Sequence, residues 1–362
     1  MSLTRFLVLA LPQLPIGKNL HPGGQLTAAS GILHHLSKRD VRYVLLNTIS
    51  AVYPPKPFVF KIFEAFSRFI KCFYLAFNSQ SIGYLAFSGF GFSLYERCIC
   101  CLFFKLLGKP SGVFIRSSEI LFTPPNRFTR LLLRIFLSFP SYIFTQGSAL
   151  SHSMTSLGCK SVHIVPNWLP PLFDSPVKRR LLSFKHKICF LFVGWIDCKK
   201  GIFDLLEAVN LLKDRSKEFS LNIAGNGSLD QVELLLSLCQ SLPMVTFHGW
   251  IPPSEISSLM SQSDVLVLPS YSEGFPNVIL EALSIGLPVI STNVGAIPDS
   301  VFNGRNGFLV DTHNPRKLSE AMSYYLDDPS LVDLQSYTCK DIVKLRHTRS
   351  TNIDLLLSFF SI

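Results

Sequence analysis

The chain has 362 residues, of which 48% are hydrophobic and only 16% charged, with 31 Phe. That length suits about two domains with separate cores, and the composition excludes a disordered or acidic-tail protein. The net charge of +10 is uneven: residues 1–187 hold 22 Lys and Arg against 5 Asp and Glu, and residues 188–362 hold 12 against 19. A uniform nucleic-acid coat is a poor description of such a split, and the basic residues are not interleaved with a recognition motif. No nucleic-acid partner is expected. The basic half is suited to an anionic surface or ligand.

The nine Cys are odd in number and scattered through apolar runs. The one cluster, Cys98-Ile99-Cys100-Cys101, lacks a second pair or a spaced His for a zinc set, so free thiols in a reducing compartment are expected. Met1 to Pro12 reads as a first strand with no signal-peptide cleavage pattern after it. No run reaches ~18 clean apolar residues, and a spanning helix is not expected.

In chain order, a strand at Phe6–Leu11 leads through a long loop to a helix over 25–37 and a strand at Tyr43–Leu46. Phe58–Phe77 is helical, with Lys61, Glu64, Arg68 and Lys71 on one face and Phe60, Phe63, Phe66, Ile70 and Phe73 around much of the rest. Short strands are predicted at Gly83–Phe87, Gly112–Ile115, Tyr142–Phe144 and Val162–Val165. Between them the helix Arg127–Phe139 carries a basic stripe of Arg127, Arg130 and Arg134 beside Leu131, Leu132, Ile135 and Phe136. That stripe is either a solvated face or a helix lying on an anionic bilayer. Pro166-Asn167-Trp168-Leu169-Pro170-Pro171 breaks the pattern and places a linker over 166–180.

The second half alternates more regularly. Strands are predicted at Ile188–Val193, Phe219–Ala224, Val245–Phe247, Val265–Leu268, Pro288–Ser291 and Phe308–Val310, with helices near 202–213, 229–240, 254–261, 277–285 and 315–326. Crossovers of this size between Val- and Leu-rich strands imply parallel sheets covered on both faces. The fold class is α/β, with Rossmann-like domains over 1–165 and 181–340 and a C-terminal segment, 341–362, expected near the domain junction.

Three constellations can carry chemistry. Pro22-Gly23-Gly24 follows the first strand at the start of a helix, where glycines let backbone amides approach a phosphate. Ala224-Gly225-Asn226-Gly227 follows a strand but lacks the third glycine of a dinucleotide fingerprint, and serves equally as a tight turn. The richest segment runs from Ser270 to Ala282, directly after the strand Val265–Leu268, where ligands of open α/β sheets bind. Glu273 in its loop and Glu281 on the following helix can accept hydrogen bonds from hydroxyls around a cluster of backbone amides, as a nucleotide sugar requires. The alternative is that Glu273 caps the helix and Glu281 is solvated.

This segment resembles the Glu-x7-Glu motif of the retaining glycosyltransferases of family 4, which have the GT-B fold. Lys200-Gly201-Ile202, Ala224-Gly225-Asn226-Gly227, Asn293-Val294-Gly295-Ala296-Ile297-Pro298-Asp299, Asn306-Gly307-Phe308 and Val165-Pro166-Asn167 extend the resemblance in order over about residues 160–330. It implies two Rossmann-like domains whose parallel sheets face across a cleft. It also implies that Glu281 binds the donor ribose hydroxyls and that Glu273 contacts the donor sugar. The amides around Phe275, Pro276, Asn277 and Val278 would face sugar and diphosphate. Lys200 would pair with the diphosphate, and Gly24, Gly225 and Gly227 would line the donor. Two positions depart from the family: Gly194-Trp195 stands where Gly-Arg is usual, and Arg116 falls near the place of a His beside the reacting sugar. Arg116 is either a contact to diphosphate or anionic acceptor, or a solvated loop residue.

The resemblance implies a retaining, metal-independent transfer from a UDP- or GDP-type sugar, without a cofactor, to a glycan or lipid-linked saccharide. The setting would be surface polysaccharide assembly, cytoplasmic and peripheral on the inner face of the cell membrane, held through the basic N-terminal domain. A non-catalytic GT-B subunit that binds nucleotide sugar and a nucleotide-sugar epimerase of similar architecture are the alternatives.

Overall fold

The computed structural model describes residues 5–12, 24–48, 58–122, 125–173, 187–214 and 218–362. Contacts divide the chain into two compact units, Met1–Trp168 with Arg349–Ile362, and Leu169–Thr348. The first contains β1 (Phe6–Leu11), α1 (Gly24–Lys38), β2 (Tyr43–Asn47), α2 (Phe58–Phe77), β3 (Ser81–Ser88), α3 (Phe92–Leu106), β4 (Ser111–Ile115), α4 (Glu119–Phe122), α5 (Arg127–Phe136), β5 (Tyr142–Thr145), α6 (Ser148–Ser156) and β6 (Val162–Ile164). The second contains β7 (Ile188–Val193), α7 (Ile202–Leu212), β8 (Phe219–Ala224), α8 (Leu229–Cys239), β9 (Val245–Phe247), α9 (Pro253–Ser261), β10 (Val265–Leu268), α10 (Asn277–Ile285), β11 (Val289–Thr292), β12 (Gly307–Val310), α11 (Pro315–Asp327) and α12 (Ser330–Arg346). The last helix, α13 (Arg349–Ser358), returns to the first unit.

The first unit is a parallel six-stranded sheet in the order β2-β1-β3-β4-β5-β6. Successive side chains of a strand point to opposite faces, and β1 shows the result. Val8 and Ala10 join a core with Cys72, Cys98 and Leu133 of α2, α3 and α5. Leu7, Leu9 and Leu11 join a second core with Ile32 of α1 and Ile353 and Leu357 of α13. Both faces are covered, which is why the strands read as apolar runs rather than alternating ones. His35 Nε2 and Arg39 Nη2 hold the Asp354 carboxylate at 2.7 and 2.6 Å, tying α1 to α13.

The units are drawn differently from the expected boundaries. The segment expected over 341–362 divides, its first part ending α12 in the second unit and Arg349–Ile362 joining the first. Lys187, counted with the basic half, falls in the second unit, and residues 174–186, with Lys178, Arg179, Arg180 and Lys185, lie outside the described residues. The helix expected over 127–139 ends at Phe136, and α3, α4, α6, α12 and α13 arise where no helix was predicted.

The second unit is also parallel and six-stranded, ordered β12-β11-β10-β7-β8-β9. The chain lays down β7, β8 and β9 outward in one direction, then returns to place β10, β11 and β12 on the other side. The direction of travel therefore reverses between β7 and β10. Loops leaving those two strands diverge and leave a crevice at their carboxyl ends.

Candidate active site

The loops that leave β7 and β10 bring Lys200 and Glu273 together. Lys200 ends a short 3-10 turn after β7, and its Nζ donates to Glu273 Oε1 at 2.5 Å. Glu273 is mostly sheltered and Lys200 about a third exposed, so the pair lies at the wall of the crevice rather than in bulk water. The backbone fixes both partners. The Tyr271 N–H donates to Lys199 O at 2.8 Å, and Gly201, at φ +68°, lies so close to Pro269 that a Cβ would come within 2.0 Å of its carbonyl oxygen. On the other side Ala296 N–H donates to Gly274 O at 2.8 Å, and Gly295, at φ +58°, leaves only 2.1 Å between a Cβ and Glu273 O. Only glycine meets both the conformation and the approach at these two points.

Pro276 precedes α10, and no side chain caps this helix start. Its first-turn amides supply partial positive charge beside the Lys200–Glu273 pair, an arrangement suited to an anion. Of the residues expected around it, Phe275 is buried and stacks on His347 at 5.2 Å, and Val278 packs against the core. His347 in turn contacts Ser300 Oγ at 2.8 Å, so Phe275 anchors the loop.

Glu281 lies farther along α10. Burial favours its neutral form and pushes its pKa up to about 7. Because the folded value is raised, its contribution to stability is fully present below the ordinary carboxylate range and is lost as pH rises through about 7. The thermal midpoint of the unliganded protein is therefore expected to fall across that window, and Glu281→Gln, neutral at every pH, to flatten the fall. An identical pH profile in the Gln variant would show that the buried carboxyl is not its source.

The Gly225 and Gly227 positions answer to packing. A Cβ on Gly225, at φ +156°, would meet Gly194 O at 1.8 Å, and one on Gly227 would meet Ile196 O at 2.4 Å. Both glycines let the loop after β8 cross the loop after β7, sealed by Ile196 N–H to Asn226 O at 2.7 Å. Trp195, between these contacts, is 49% exposed at the carboxyl end of β7.

Arg116 is neither solvated nor open. Its Nη2 donates to Asn167 Oδ1 at 2.9 Å, and its guanidinium carbon lies 5.0, 5.1 and 5.7 Å from the ring centres of Phe87, Phe114 and Trp168. Burial lowers its pKa to about 9. It joins the end of β4 to the Pro-Asn-Trp segment, which Asn352 of α13 also holds through Pro166 O at 3.1 Å. Gly24 opens α1 and is exposed, while Pro22 and Gly23 lie outside the described residues.

The sequence reading did not single out Tyr271 and its partners. Its hydroxyl donates to Asp204 Oδ1 at 2.8 Å, and His313, in the left-handed region at φ +56°, lies over its ring at 3.7 Å. Burial, then Asp204, pushes the phenol pKa up. The signal was weak because Asp204 and His313 belong to segments far from Tyr271 in sequence. Among the described residues no group of three or more His, Cys, Asp and Glu is placed to hold a metal ion.

Residues 175–340 match the family "Glycosyl transferases group 1". This span contains Lys200, Glu273 and Glu281. The chain is 34% identical over 165 residues to the D-inositol 3-phosphate glycosyltransferase of Arthrobacter sp. (strain FB24), covering 44% of this chain and 39% of that protein. It is 36% identical over 138 residues to a 41.2 kDa protein of the cps region of Klebsiella pneumoniae, covering 38% of this chain and 37% of that one. The chain thus spans about two-fifths of the length of these relatives. Solved structures share the fold over the whole chain. The sucrose-phosphate synthase of Thermosynechococcus elongatus superposes with a TM-score of 0.74 at 16% identity, covering 99% of this chain and 98% of its own. HepE of Anabaena in complex with UDP superposes at 0.71 and 15% identity, covering 99% and 100%. The GT-B architecture implied by the motif is therefore the architecture of this protein, while the group 1 match is confined to residues 175–340.

Proposed function

We propose that the protein transfers a sugar, with retention of configuration, from a nucleoside-diphosphate sugar to a hydroxyl of a glycan or lipid-linked saccharide. The reading includes a step in surface polysaccharide assembly, carried out as a peripheral enzyme on the inner face of the cell membrane. The observation that carries it is the Lys200–Glu273 pair at the strand-order reversal, beside the uncapped start of α10. When a donor enters, its diphosphate takes Lys200 from Glu273 and lies against the α10 amides, and Glu273 is released to accept from a sugar hydroxyl. Glu281 then accepts from the ribose hydroxyls.

In the transfer, the bond from the anomeric carbon to the diphosphate oxygen breaks as the acceptor oxygen bonds to the same face of that carbon. The acceptor proton passes to the departing diphosphate. Negative charge grows on that diphosphate, where Lys200 and the helix start stabilise it more strongly than in the ground state. No protein base is required, and catalysis is positioning plus charge stabilisation. Arg116 acts as a positioning residue for the Asn167–Trp168 segment.

Relatives that bind UDP and UDP-glucose favour a UDP-type donor. The reading is tested by thermal unfolding with a set of nucleotide sugars, followed by transfer from the best donor to membrane lipid extracts. A UDP-sugar at about a hundred times its Kd adds ~2.7 kcal/mol and raises the midpoint by roughly 5–10 °C. Protection by none of the donors would overturn the assignment, and protection without transfer would favour a non-catalytic binding subunit.

A further inference from the structure

Helix α2 is apolar on both its inner and its outer side. Two of its charged side chains turn toward the unit: Arg68 Nε and Nη2 donate to the Glu96 carboxylate of α3 at 2.9 and 3.2 Å, and Glu64 Oε2 is closed off from solvent, while Lys71 is exposed. Cys72 and Ala76 reach the core, but a second set of apolar residues turns outward. Phe63, Phe66, Ile70, Phe73 and Phe77 recur at spacings of three and four, which places them on one stripe, and they are 47–69% exposed. Phe69 and Phe73 lie at 4.9 and 5.1 Å from Phe103 of α3, and Tyr95 of α3 lies at 4.8 Å from Phe136 of α5. The three helices thus form one layer. On α5 the same layer exposes Phe128 and Leu131 beside the exposed Arg127 and Arg130. Arg134, expected in the basic stripe, is exposed too, with its Nε bonded to Leu157 O at 2.9 Å.

Soluble monomers rarely leave an apolar surface of this extent uncovered. The charge around the stripe selects what covers it. Asp40, Glu64, Glu96 and Glu119 are the only carboxylate residues before residue 169, and Glu96 is held by Arg68 and Arg97. Lys71, Arg127 and Arg130 are exposed on the layer. A second copy would bring two like-charged rims together, whereas a bilayer with anionic lipids offers acyl chains to the stripe and phosphates to its rim. None of the described helices is long and apolar enough to cross a membrane, so the contact lies in the interface plane.

We propose that the outer face of α2, continued by α5, lies in the headgroup region of an anionic bilayer. The α2 aromatic side chains insert, and Lys71, Arg127 and Arg130 meet the phosphates. The proposal rests on the membrane setting of the reading above and replaces the three-arginine stripe of α5 as the principal contact.

The test is co-sedimentation of the full chain with phosphatidylcholine vesicles, with and without phosphatidylglycerol, for the wild type and for the combined variant Phe63→Ser, Phe66→Ser, Phe73→Ser. Partition onto anionic vesicles is expected to fall by ~100-fold or more in the variant. UDP protection, read in the second unit, is expected to persist, which separates failure of this contact from failure of the donor assignment. A second variant, Phe66→Trp, is expected to show emission quenched by brominated lipid beyond that of the wild type. Unchanged partition, no added quenching, or a lipid-free dimer that the Ser variant dissociates would each overturn the proposal.

Discussion

Glu273→Ala is expected to reduce sugar transfer by ~10³-fold while the protein still folds, because the side chain reaches only Lys200 and the crevice. Two effects combine. The donor sugar loses an acceptor for its hydroxyl, and Lys200 loses the partner that holds it in place in the unliganded protein. The companion change, Lys200→Met, removes the charge proposed to stabilise the leaving diphosphate and is expected to lower kcat by ~10²–10³-fold. The double variant separates the two roles. If both residues act on one bound donor, the losses combine to less than the product of the single ones. Steady-state transfer with a UDP-sugar reads this directly, and wild-type turnover in Glu273→Ala would remove the site from the mechanism.

The second large effect is on stability. Gly201→Ala would place a methyl group 2.0 Å from Pro269 O in a backbone conformation, φ +68°, that a Cβ opposes. Strain and overpacking together are expected to cost about 3 kcal/mol, or roughly 10 °C of the midpoint of the second unit. Because Gly201 follows Lys200 and packs on the strand end that leads to Glu273, relief of the clash must separate those two loops. Donor protection is therefore expected to weaken along with stability. Calorimetry of the Ala variant checks the first statement, and its response to UDP checks the second.

The parallel strands were the most legible part of the fold. Phe6–Leu11, Ile188–Val193, Phe219–Ala224, Val245–Phe247 and Val265–Leu268 have the bounds predicted for them, and in Phe6–Leu11, Ile188–Val193 and Val265–Leu268 burial of both faces leaves an uninterrupted apolar signal. Asn277–Ile285 was equally plain, set off by Gly274 and Pro276 before it and Gly286, at φ +82°, after it. Helix α3 was not legible. Its two charged neighbours Glu96 and Arg97 are both buried, so no polar stripe marks an outer face. The range of α2 was readable but its orientation was not, since periodicity shows that a helix has two faces and not which one the rest of the chain will cover. The ion pair from Arg68 to Glu96 decides that, and it joins residues 28 apart.

At the candidate site, the Lys200 and Glu273 segments could be assigned to strand ends, and a parallel sheet brings adjacent strand ends together. Arg116 could be assigned to a strand end too, yet its enclosure by Phe87, Phe114 and Trp168 depends on three separate segments. The Tyr271–Asp204 bond likewise spans 67 residues that no local pattern connects.

The return of α13 to the first unit has a consequence for how the chain reaches its native state. Ile353, Leu356, Leu357 and Phe360 complete the core over Leu7, Leu9 and Phe114, so the earliest strands to be synthesised wait for residues made more than 300 positions later. Until then one face of that sheet is open. The second unit, contiguous from Leu169 to Thr348, meets no such delay. On a ribosome the order of completion is inverted: the middle of the chain can close first, and the beginning closes last.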